Sequence, residues 1–286
     1  MRRLMLAGVL SGLVALSGGL ACQAAGIEPV QFASARPRLG VLTERRAAEA
    51  HTPLPRPQTI DGYLVKPDGV GPFPTVVILH GCSGLSAGFR RDPAASPWVA
   101  RLLSWGYAVL AFDSFSAREG RPTCGRDVEF YRVADAYGAL AFLAQRRDIA
   151  AANAIVFGFS SGGIAALSAV EKRDHEPFEL SADLRFKAAI AFYPVCVSEG
   201  VMAAPALVLI GELDDWSPVA RCRFMIAGGE GKGAPITLIV YPGAAHDFGD
   251  AALRPTRKLF GHFSAYNRAA ADDAVDQVKR FLDQIR

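Results

Sequence analysis

Apolar residues fall along this chain in short unbroken runs, and between the runs they recur at helical spacing. The runs at residues 75–80, 107–113, 153–159, 186–193, 206–211 and 236–241 have no polar face, as expected of parallel strands covered on both sides. Between them, residues 96–105 carry Trp98, Val99, Leu102 and Leu103 on one helical face, opened by Ser96-Pro97 and stopped by Gly106. Further helices are predicted at 127–145, capped by Asp127, after residue 160, at 218–226, and at 269–285, where Val275, Val278, Phe281, Leu282 and Ile285 share a face. Residues 59–66 alternate like an edge strand that Pro67-Asp68-Gly69 turns, and 243–266 reads as a loop. Strand and helix in alternation predict an α/β fold: a mostly parallel central sheet with helices on both faces.

The front end differs in kind. Arg2-Arg3 precede a charge-free apolar run to about Leu20, then small residues at Ala21-Cys22-Gln23-Ala24-Ala25, the three parts of a secretory signal peptide. The run is short and glycine-rich for a transmembrane anchor, so no stable membrane insertion is expected after cleavage at Ala21 or Ala24. Lipid attachment at Cys22 is the alternative, and Gly19 stands there where such signals carry leucine. The chain thus divides into a leader (1–24), an arm without clear periodicity (25–57) and a domain (58–286). Export to the periplasm or beyond is expected.

Removing a leader that holds two arginines and no acid turns 31 basic against 28 acidic residues into 29 against 28. Nothing in that balance calls for nucleic acid as a partner. Export would leave Cys82, Cys124, Cys196 and Cys222 in an oxidising compartment. None has C-x-x-C spacing, so no metal is expected. Sequence alone permits three pairings, but strand order brings Cys196 near Cys222, and Cys82 near Cys124 with less force.

Chemistry gathers at the predicted strand ends, where ligand sites of such sheets lie. Gly158-Phe159-Ser160-Ser161-Gly162 fits G-x-S-x-G, a strand-to-helix turn that lifts one serine out, so Ser160 is the candidate nucleophile. Asp214 leaves the next-but-one strand in Gly211-Glu-Leu-Asp214-Asp215-Trp216, with Asp215 as its competitor and as a helix cap otherwise. His246 follows the last strand in Pro242-Gly-Ala-Ala-His246. A serine hydroxyl needs an imidazole to take its proton, and the imidazole needs a carboxylate to fix its tautomer; the order Ser, Asp, His is that of α/β-hydrolases. Backbone N–H groups of Ser161 and Cys82 are the candidate oxyanion donors. Arg118, Arg121 and Trp216 are candidate substrate contacts, while His51, His175 and His262 read as surface residues.

These residues, with His80-Gly81-Cys82-Ser83-Gly84-Leu85 and Tyr241-Pro-Gly-Ala-Ala-His246, make residues 59–286 resemble the dienelactone hydrolase family of α/β-hydrolases. The enzymes that give that family its name use a cysteine nucleophile; serine stands at the matching position here. The resemblance implies hydrolysis of a small carboxylic ester or lactone, with no cofactor. A peptidase or acyltransferase on the same fold, or a binding protein that kept it, are the alternatives. No long insertion between strands is present to form a deep lid, so an open site for short acyl groups is expected.

Overall fold

The computed structural model describes residues 26–40, 45, 49–50, 56–118, 124, 129–172, 178–197, 199–254 and 256–286. The leader, His51, Arg121, Asp127 and His175 lie outside them. Among the described residues eight strands form one sheet: β1 (Gly26–Ala33), β2 (Thr59–Lys66), β3 (Thr75–Leu79), β4 (Ala108–Asp113), β5 (Ile155–Phe159), β6 (Ala188–Phe192), β7 (Ala206–Gly211) and β8 (Ile236–Tyr241). Their order is β1-β2-β4-β3-β5-β6-β7-β8; β1 and β2 are antiparallel additions to a parallel sheet. Among the described residues the α-helices that accompany it include α1 (Ala87–Arg91), α2 (Pro97–Ser104), α3 (Glu129–Ala144), α4 (Ser161–Ala169), α5 (Val219–Gly229) and α6 (Arg268–Gln284).

Side-chain alternation sorts the two faces. Register places Ile78, Phe157 and Ile190 on one face, with Phe159 and Phe192 beside each other. Trp98 of α2 meets Phe157 and Phe192 there edge-on, centroids 5.0 and 5.2 Å apart. On the opposite face stand Gly158, Ala189 and Ala191, small residues against which the glycine- and alanine-rich α4 can sit close. Helix α6 joins α2 at its far end, where Arg286 Nη2 donates to the Trp105 carbonyl at 2.6 Å. The buried runs read from the sequence are these strands.

Two elements depart from the sequence reading. Residues 26–33, within the arm that shows no clear periodicity, form the outermost strand, so β2 is the second strand rather than the edge. Only Val30 and Phe32 of β1 are buried; Phe32 meets Phe112 and Phe142, centroids 5.3 and 5.9 Å apart. Burying one such phenylalanine contributes roughly 2 to 3 kcal/mol. Within 243–266 lies a hairpin of β9 (Arg257–Leu259) and β10 (His262–Ser264), strands too short for alternation to reveal.

Candidate active site

Strand β5 ends and α4 begins on a single residue, Ser160, whose φ of 50° lies in the left-handed region. The strain is possible because its neighbours lack side chains: a Cβ on Gly158 would run into the Gly162 carbonyl, and one on Gly162 into those of Leu79 and His80. Ser160 N donates to Phe192 O at 2.9 Å, anchoring the turn to β6.

Asp214 lies just beyond β7 and is held by its own turn, Oδ1 accepting from the N–H groups of Trp216 (3.0 Å) and Ser217 (2.7 Å). Its other oxygen, Oδ2, lies 2.7 Å from His246 Nδ1. On the far side of the ring, His246 Nε2 lies 3.1 Å from Ser160 Oγ. This network assigns the proton to Nδ1 and leaves Nε2 to accept from the serine hydroxyl. The imidazole is 1% exposed, flanked by Tyr193 (centroids 4.7 Å) and Trp216 (5.1 Å), so it has little freedom to rotate. Burial raises the Asp247 carboxyl, whose Oδ1 lies 3.9 Å from His246 Nε2, above the ordinary carboxylate range. Chemically, the array can deprotonate a serine and return the proton to a leaving group.

The loop after β3 packs beside this array: a Cβ on Gly81 would lie 3.9 Å from Ser160 Cβ. Next in that loop is Cys82, bonded to Cys124 with Cα atoms 4.9 Å apart. Cys196 and Cys222 form the second disulfide, also at 4.9 Å, so both expected pairings occur. Ser161 opens α4, where first-turn N–H groups have no helical acceptor. Under the loop, His80 is buried and its pKa is lowered to about 3, by desolvation first and then by the charge of Arg132. A cleft of about 560 Å³ is lined by Gly81, Trp98, Phe159, Phe192 and Tyr193, with Ala271 and Val275 of α6.

The remaining candidates fare differently. Trp216 lies against His246 and stacks on His262 (5.0 Å), so His262 belongs to an aromatic stack and is not a bare surface residue. Asp215 was expected to cap α5; instead Pro218 holds that position and Asp215 Oδ1 accepts from Phe263 N of the hairpin at 3.2 Å. Arg118, which the sequence offers as a solvated loop charge or a substrate contact, instead grips buried Asp135 with Nη1 and Nη2 at 2.8 and 2.7 Å, and Nη1 also bonds Ser114 O. Tyr193 and Arg132 were not singled out from the sequence. A Tyr-Pro pair after a buried strand was the signal for the first; the second had none. Among the described residues, no three His, Cys, Asp or Glu side chains group so as to hold a metal.

The sequence matches the dienelactone hydrolase family over residues 60–286. The chain belongs to the dienelactone hydrolase family. It is a carboxylic-ester hydrolase of that family, built on the α/β-hydrolase fold, with serine at the elbow. No curated protein matches the sequence significantly. Among solved structures, a dienelactone hydrolase-like promiscuous phosphotriesterase from metagenomic libraries shares the fold at TM-score 0.66 and 16% identity, over 92% of this chain and 99% of that one. Thermogutta terrifontis esterase 2 with propionate bound superposes at TM-score 0.57 and 21% identity, over 79% and 89%. The same esterase phosphorylated by paraoxon gives TM-score 0.58 at 21% identity, again over 79% and 89%. Among the described residues no helix is long and apolar enough to cross a membrane.

Proposed function

We propose that this family member is an exported serine esterase that cleaves small carboxylic esters or lactones through an acyl-enzyme on Ser160. The observation that carries the reading is the hydrogen-bonded line Ser160–His246–Asp214, at 3.1 and 2.7 Å, with the serine strained at the end of β5. His246 Nε2 takes the hydroxyl proton as Oγ attacks the carbonyl carbon; Asp214 holds the ring and stabilises the imidazolium. The N–H groups of Ser161 and Cys82 receive the oxyanion. His246 then protonates the leaving alcohol, and water attacks the acyl-serine by the same steps in reverse.

The cleft lined by aromatic rings, which includes Phe159 next to Ser160 in sequence, supports a short acyl or aryl substrate. Thermogutta terrifontis esterase 2, seen with propionate, acts as a precedent for an acyl group of that size on this fold. The arginine pair, apolar run and small residues of the front end support export.

A fluorophosphonate probe should add one label to the protein, absent in Ser160→Ala, and aryl esters of rising acyl length should be turned over best when short. Undiminished turnover by a folded Ser160→Ala protein would sink the reading. An anilide cleaved better than the esters would favour a peptidase, and acyl transfer to an added alcohol outpacing hydrolysis would favour an acyltransferase. Cell fractionation with N-terminal sequencing tests export; the intact N-terminus in the cytoplasm would refute it.

A further inference from the structure

Helix α3 buries a charge where it packs against the sheet. Arg132 is 1% exposed. Its Nη1 donates to Ser161 Oγ at 2.6 Å, and its Nη2 donates to the His80 carbonyl. Ser161 is the first residue of α4, and His80 opens the loop that carries Cys82. One rigid guanidinium therefore bonds both segments that hold the candidate oxyanion donors. The His80 ring completes the seat: its Nδ1 donates to Gly81 O at 2.7 Å and its Nε2 accepts from Ser114 N at 3.2 Å.

Stability does not explain a cation here. A buried ion pair is commonly no better for stability than a set of apolar side chains of equal volume in its place. Moreover, Nε of Arg132 is buried without a partner. Its charge faces Asp113 and Asp135, and Asp135 is itself held by Arg118. Leucine or methionine would fill the space with none of these requirements. What a guanidinium supplies and they do not is a planar fork with two arms at fixed separation.

We propose that Arg132 is a positioning residue of the oxyanion hole, clamping the His80 carbonyl to the Ser161 hydroxyl so that the N–H groups of Cys82 and Ser161 converge on one oxygen. The inference rests on the reading of those two donors given above. Both must lie within about 3 Å of the developing oxyanion, yet they belong to different elements. Arg132 touches no substrate; its effect falls on the transition state and leaves ground-state binding alone.

The test uses Arg132→Met, Arg132→Lys and Ser161→Ala with an aryl ester and a trifluoromethyl ketone, whose adduct carries the oxyanion. Arg132→Met should lower kcat about 10- to 100-fold, the scale of a misplaced catalytic group, with KM changed little. Ketone affinity should fall by the same factor, while the pH midpoint of kcat/KM holds. Arg132→Lys, which keeps the charge and loses the fork, should remain as defective. Ser161→Ala removes one arm from the other end and should lower kcat and ketone affinity together, about 3- to 10-fold, and adding it to Arg132→Met should change little more.

Full activity in Arg132→Lys, a loss confined to KM, a shifted pH midpoint, or loss of kcat without loss of ketone affinity would each overturn the clamp. Unchanged kcat in Ser161→Ala would do so too, even where Arg132→Met cannot be purified. If the ketone fails to inhibit wild type, the acyl-enzyme reading itself fails. If it inhibits wild type and all variants equally, only the role of Arg132 does.

Discussion

The carboxylate of Asp214 lies 2.7 Å from His246 Nδ1, whereas that of Asp215, one residue later, turns away to the hairpin backbone at Phe263 N. Adjacent carboxylates thus serve different partners, and only one is placed to hold the imidazole. Asp214→Asn should lower kcat by a factor on the order of 10⁴, as a mis-tautomerised ring does elsewhere. Asp215→Asn should leave kcat within a few-fold of wild type. Steady-state kinetics on one aryl ester decides it, and the opposite ranking would show the wrong carboxylate was chosen.

The two disulfides should separate function from stability. Cys196–Cys222 closes a 26-residue separation between the segment after β6 and helix α5, for which chain entropy gives roughly 3.5 kcal/mol. Replacing both by serine should lower Tm by several degrees with kcat unchanged. Cys82–Cys124 instead tethers a candidate oxyanion donor, so the paired serine variant should lose kcat in larger proportion than Tm. Calorimetry and kinetics on the two variants check this; equal effects on both properties would contradict it.

Acid should unseat His80. Its folded pKa is about 3 and its unfolded pKa about 6.5, so below pH 6.5 the unfolded chain binds a proton that the folded chain refuses. Stability from this residue is complete above pH 6.5 and is lost as pH falls toward 3. His80→Gln, which cannot titrate, should be less stable than wild type at pH 7 and show a shallower decline of Tm between pH 6 and 4. Parallel Tm-against-pH curves for the two proteins would refute the assignment.

Much of the site was legible because the chemistry of an elbow and the order of strand ends both leave marks in sequence. Ser160, Asp214 and His246 each follow a run with no polar face, and a parallel sheet collects such ends on one rim. Strand β1 left a poor mark: only two of its residues point inward, and Pro29 breaks the β pattern, tolerated because an edge strand pairs on one side. Arg132 was illegible for a different reason. A lone arginine in an amphipathic helix reads as solvated, and nothing local says that it faces the loop after β3. Arg118 shows the converse, a loop charge that the fold commits to Asp135.

The direction of β1 has a consequence for orientation. Gly26 pairs with Lys66, whose neighbour Val65 pairs with Val109 near the start of β4, while Asp61 pairs with Asp113 at the end of β4. Ser160 stands at the carboxyl ends of the parallel strands, so Gly26 lies at the opposite pole of the sheet. A form of this enzyme tethered to a membrane or a solid support through its N-terminus would therefore present its cleft outward, toward dissolved substrate.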